Sequence, residues 1–190
     1  MKRIIRAVPF TIPFAKKGNY YRAGNSTGYS SASYVPTTNH MFSQVMCFSE
    51  EITIDRLAIY VSEAAAAGGV ARMGLYADNG ALYPGQLIYD SGEISTTTTG
   101  PKTAAPPSPI VIAKGTPFWT CFLCGVAAPK LKSSNANCLS VLGAGNTIGD
   151  WSFNGFYVNQ AYGALPATHP HPAGPYLRGG MYDYVHIRLA

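Results

Sequence analysis

The chain has 190 residues, enough for one domain with a substantial core and too few for two large ones. Its formal net charge is +5, yet only 12% of residues are charged, and the basic ones are scattered apart from Lys2-Arg3-Arg6, Lys16-Lys17 and Lys130-Lys132, which argues against a nucleic-acid interface. With 20 Gly, 14 Pro and 13 Tyr and no capped stretch of helical periodicity, the composition points to an all-β protein whose surface of Ser, Thr, Asn, Gly and Tyr suits contact with other proteins.

Residues 1–40 read as an extended N-terminal docking arm and residues 41–190 as the domain. The arm opens with positive charges, but Pro9 and Pro13 break its apolar run short of a signal peptide, and no later stretch approaches a membrane span. The expectation is therefore no membrane insertion and a chain that matures in a reducing cytosol. Ile4, Ile5, Val8, Phe10, Ile12 and Phe14 would each cost about 1.5–3 kcal/mol if left in water. They are expected to dock on this domain, a second copy or another protein.

A first strand is predicted over residues 41–48. From Ile52 the apolar residues fall at Ile52 and Ile54 and then, one residue out of phase, at Leu57, Ile59 and Val61. That shift predicts a β-bulge at Asp55-Arg56, which turns the charged pair outward and keeps the aliphatics on the core. Residues 62–69 carry four alanines followed at once by two glycines and are read as a loop. A second strand over residues 70–77 puts Met73, Leu75 and Ala77 on one face and Arg72, Gly74 and Tyr76 on the other. Asp78-Asn79-Gly80 ends it with residues that tolerate positive φ, Pro84-Gly85 reads as a type II turn, and Ser91-Gly92 as a bulge.

Residues 87–94 form the next strand. Residues 96–109 hold too much Pro and Thr for a central strand and are an edge segment or a surface loop. Residues 110–112 and 118–126 are strands joined across a Lys114-Gly115 turn. The second is apolar on both faces, as in a central strand or one with a face in a subunit interface. Residues 139–142 are a short strand candidate, residues 143–175 carry no periodicity, and residues 182–189 close the chain with Tyr184, His186 and Arg188 alternating with Val185, Ile187 and Leu189. About eight strands at roughly ten-residue spacing suit a jelly-roll-like antiparallel β-sandwich.

The runs RMGLYADNG at 72–80, PGQLIYDSG at 84–92, the Thr-rich 96–102 and FWTCF at 118–122 resemble a β-sandwich module of bacteriophage tail-fibre, baseplate and other virion proteins. Residues 52–61 fit the same pattern, so the resemblance covers about residues 40–128. It implies a virion structural protein, usually oligomeric, with other virion proteins and copies of itself as partners, and it carries no catalytic residues and no cofactor.

The remaining chemistry is sparse. Cys121 and Cys124 have knuckle spacing, but residues three apart on a strand face opposite ways and no second pair follows, so Cys47, Cys121, Cys124 and Cys138 read as small buried hydrophobes. Only nine acids are present, and the adjacent pair Glu50-Glu51 would face opposite ways on a strand, which does not suit acid/base work on one bond. No nucleophile elbow, P-loop or dinucleotide fingerprint occurs. His169 and His171 are a weak metal candidate: the resemblance extends to fibre tips that bind iron through such a pair, while the flanking prolines read more simply as a rigid exposed loop. Trp151, Asn154, Tyr157, Asn159 and Gln160 are the candidate contacts to a host surface glycan, because flat rings beside amides can stack on sugars and bond their hydroxyls; burial in a subunit contact would explain the same residues.

The expectation is a non-enzymatic tail, baseplate or fibre component that assembles as an oligomer in the virion. Head decoration and a stand-alone carbohydrate-binding module are the alternatives.

Overall fold

A computed structural model describes residues 12, 15–23, 33–133, 153–170, 176–179 and 184–190. Among them there is no helix, and so none long and apolar enough to cross a membrane. The described chain is an antiparallel β-sandwich of two sheets. It holds fourteen strands rather than about eight, because five of them are only two or three residues long and too short to show a period.

The first sheet is built around β4, Ile52–Glu63. On one edge β4 pairs with β14, His186–Leu189, and then with β11, Lys130–Lys132. On the other edge it pairs with β9, Ile110–Ile112, and β8, Gly100–Ala104. The predicted bulge is present: Arg188 stands opposite Arg56 and Leu189 opposite Ile54, so Asp55 is the extra residue. Its carboxylate takes two hydrogen bonds from the Arg188 guanidinium, at 2.8 and 2.6 Å. Ile52, Ile54, Leu57, Ile59 and Val61 all face the core, as the change of phase required.

Two further strands come from the segment read as arm. β1, Tyr20–Arg22, pairs with β14, and β2, Ser33–Tyr34, pairs with β11. Residue 12 also returns to the domain: the Ile12 N–H donates to the Cys47 carbonyl at 2.9 Å, and its side chain packs against the core. Of the predicted arm contacts, Ile12 thus docks on this same domain, while Ile4, Ile5, Val8, Phe10 and Phe14 lie outside the described residues.

The second sheet runs β13 (Tyr176–Gly179), β12 (Phe153–Asn159), β3 (His40–Met46), β10 (Phe118–Gly125), β5 (Val70–Asp78) and β6 (Pro84–Asp90), with β7 (Ile94–Ser95) also on β5. Both faces of this sheet are buried at its central strand β10. Met73, Leu75, Phe118, Phe122 and Cys124 face the first sheet and share one core cluster with its Ile54 and Leu57 and with Phe48. The opposite face carries Met41, Val45, Tyr76, Trp119, Cys121, Leu123, Phe156 and Val158.

Residues 160–170 lie across that second face as a strap. Leu165 packs into the cluster, and the strap is tied to the sheet by Leu87 N–H to the Ala167 carbonyl (2.8 Å), His169 N–H to the Gly85 carbonyl (2.9 Å) and the Tyr76 hydroxyl to the Pro166 carbonyl (2.9 Å). Two glycines let it lie flat. A Cβ on Gly74 would overlap Leu165, and one on Gly125 would overlap the Tyr162 ring.

The loop after β5 departs from its predicted chemistry. Gly80 has φ +90°, as expected, but Pro84-Gly85 begins β6 instead of forming a turn, with Pro84 opposite Asp78. Leu82 supplies the second left-handed residue, at φ 58°, so the chain has already reversed before the proline.

Candidate functional site

The end of β12 and the turn leading into β3 enclose an open depression of about 430 Å³, lined by Thr38, Asn39, His40, Asn159, Gln160 and Ala161. β12 and β3 run antiparallel with Asn159 opposite His40, which brings the two segments together although they are far apart in sequence. Among the described residues no Asp, Glu, Lys or Arg lines the depression.

Asn39 fixes its geometry. It is left-handed, φ 58°, a conformation that Asn tolerates better than most residues. Three hydrogen bonds hold it there: its N–H donates to the Cys124 carbonyl at 2.9 Å, its carbonyl accepts from Gln160 N–H at 2.9 Å, and its Oδ1 accepts from Tyr162 N–H at 3.0 Å. The same residue therefore shapes the depression and anchors the start of the strap. An aromatic run backs it. His40 stacks on Tyr157 with centroids 5.1 Å apart and planes 21° apart, Tyr157 meets Phe42 at 6.2 Å, and Phe42 meets Tyr184 edge-on at 5.5 Å.

Of the five predicted glycan contacts, the structure brings Asn159 and Gln160 together in the depression and places Tyr157 behind it. Trp151 and the side chain of Asn154 lie outside the described residues. Thr38, Asn39 and His40 were missed. A Thr-Asn pair directly before a strand, where a left-handed turn is common, is the signal that could have found them.

The histidine pair is not an exposed loop at its first member. His169 is 3% exposed, and its Nε2 lies 2.8 Å from the Ser43 Oγ beneath the strap, with the ring edge-on to Tyr76 at 5.2 Å. Its burial follows from its place on the strap, whose backbone is bonded to β6 on either side of Thr168. His171 lies outside the described residues. Ser43 and His169 have the spacing of a nucleophile and its base, but with Ser43 fully buried the pair offers no entry to a substrate, and the contact holds the strap to β3. Among the described residues no group of three or more His, Cys, Asp or Glu side chains is placed to hold a metal ion.

Cys121 and Cys124 face opposite sides of β10, Cys121 under the strap and Cys124 in the main core. Burial pushes the thiols of Cys47, Cys121 and Cys124 up, that of Cys124 to about 12, so they stay protonated and unreactive. Cys138 lies outside the described residues.

The sequence matches no family model, and it matches no curated protein.

Proposed function

We propose that the chain is a non-enzymatic structural protein of a bacteriophage virion, an oligomeric tail, baseplate or fibre component that takes part in host adsorption. The observation that carries this reading is the use of the polar residues in the virion-like pattern. Arg72 pairs with Asp90 at 2.8 Å. Asp78 caps the following loop through Gly80 N–H at 2.7 Å and takes the Trp119 Nε1–H at 2.9 Å. Ser91 accepts from Met73 N–H at 2.9 Å, and Asp90 accepts from Gly92 N–H at 2.9 Å. Each of these groups is engaged in holding strands and turns, which leaves the pattern as a scaffold without reactive chemistry. A surface poor in charge favours assembly, because few ions have to be desolvated when copies pack.

Two measurements test the reading. Light scattering on the full-length protein is expected to give a closed oligomer, and a monomer at every concentration overturns that half. Gold-labelled antibody against the chain is expected to decorate the tail or fibre of particles released from cells carrying its gene. Label confined to the head converts the reading to capsid decoration, and particles without label remove it.

A further inference from the structure

We propose that the depression between Thr38–His40 and Asn159–Ala161 is a binding site for an uncharged pyranose oligosaccharide. The inference deepens the adsorption role proposed above by naming its ligand class.

Three features of the depression select that class. Its volume, about 430 Å³, lies within the few hundred to about 1,000 Å³ typical of small-molecule sites, and it is open enough to admit a chain passing through. Its polar groups are amides and a hydroxyl, each able to donate and accept, which is what adjacent sugar hydroxyls demand. Among the described residues no Lys or Arg lines it, which disfavours phosphate, sulfate or sugar acids, since a desolvated anion needs a cationic partner.

The donors are also set in advance. The Asn39 Oδ1 is engaged by Tyr162 N–H, so the amide cannot turn over without losing that bond, and its Nδ2 is held as a donor with no acceptor among the described residues. Asn159 is exposed at the end of β12, and its side chain has no hydrogen-bond partner among the described residues. His40, which lines the depression, is held by its stack on Tyr157, and an aromatic ring at such a wall suits the C–H face of a pyranose. Because Asn39 is tied at two backbone points and one side-chain point, little ordering is left for the ligand to impose, and binding loses less entropy.

Affinity electrophoresis of the full-length protein tests this, with dextran, mannan and galactan as neutral probes and polysialic acid as the anionic one. At least one neutral polysaccharide is expected to retard the wild type and polysialic acid is not. Asn39→Asp keeps an oxygen for Tyr162 N–H but replaces the donor with an acceptor, so it is expected to weaken retardation about tenfold at an unchanged melting temperature. Asn159→Ala removes a side chain that bonds nothing among the described residues, and it carries the test on its own if Asn39→Asp proves unstable. The inference is overturned if no neutral probe retards the wild type, if polysialic acid alone does, or if folded variants bind as the wild type does. Light scattering and gold labelling separate this from the broader reading: an assembling, particle-bound protein that ignores all three polysaccharides loses only the sugar site. A monomer that binds sugar and labels no particle loses only the virion role.

Discussion

Asp78 joins the loop after β5 to the centre of the second sheet. One carboxylate oxygen accepts from Gly80 N–H at 2.7 Å and Leu82 N–H at 3.3 Å, while the other accepts from the indole N–H of Trp119, which is fully buried. Replacing Asp78 by Ala orphans that indole donor, a loss of about 1–3 kcal/mol before the turn itself is counted. Asp78→Ala is expected to lower the urea midpoint clearly, and Asp78→Asn, which keeps an acceptor for one side, to lower it less. An unchanged midpoint in Asp78→Ala would show that the indole bond adds nothing. The sequence placed this turn correctly at Gly80 because Asp, Asn and Gly have well-defined turn chemistry. It missed the second reversal because that role falls to Leu82, whose side chain gives no sign of a left-handed backbone.

At the scale of elements, the strap decides what the sequence left open about β10. A strand apolar on both faces implied either a central position or a subunit contact; it is central, and its second face is covered by residues 160–170 of the same chain. Periodicity could not reveal the cover, because the strap is held largely by backbone groups, which any sequence offers. What the sequence did contain was Gly74 and Gly125 inside strands, each marking a close approach. Gly125→Ala would drive its methyl into the Tyr162 ring and lift the strap, with an overpacking cost of about 1–3 kcal/mol. Gly163 lies on the strap itself with open space around it, so Gly163→Ala is the matched control. Limited proteolysis read by mass spectrometry is expected to cut within residues 160–170 faster in Gly125→Ala than in Gly163→Ala or wild type. Equal rates would mean that the strap does not depend on this contact.

For the whole molecule, the all-β sandwich was legible because alternation in β4, β5 and β14 survives folding intact, bulge included. Residues 1–40 were less so: β1 and β2 are three- and two-residue edges, attached through backbone pairing that leaves no pattern in the side chains. β1 nevertheless sets a property of the entire fold. Arg22 stands opposite His186 in the β1–β14 register, and burial first, with Arg22 second, holds the His186 imidazole down to about 4 from its ordinary 6.5. As pH falls below 6.5 the unfolded chain takes up this proton and the folded one does not, so stability present above 6.5 is lost progressively toward pH 4. The Asp55 carboxyl, lowered chiefly by its hydrogen bond to Arg188, keeps its contribution further into acid and loses it only below the usual carboxylate range. Urea unfolding at pH 7 and pH 5 is therefore expected to show a wild-type loss that is smaller in His186→Gln. The two proteins differ only at residue 186, so what every other group contributes cancels from the difference, whereas an equal loss would mean that the β1–β14 edge opens before His186 is challenged. Such an opening would place the weakest part of the sandwich at the edge that the N-terminal segment builds.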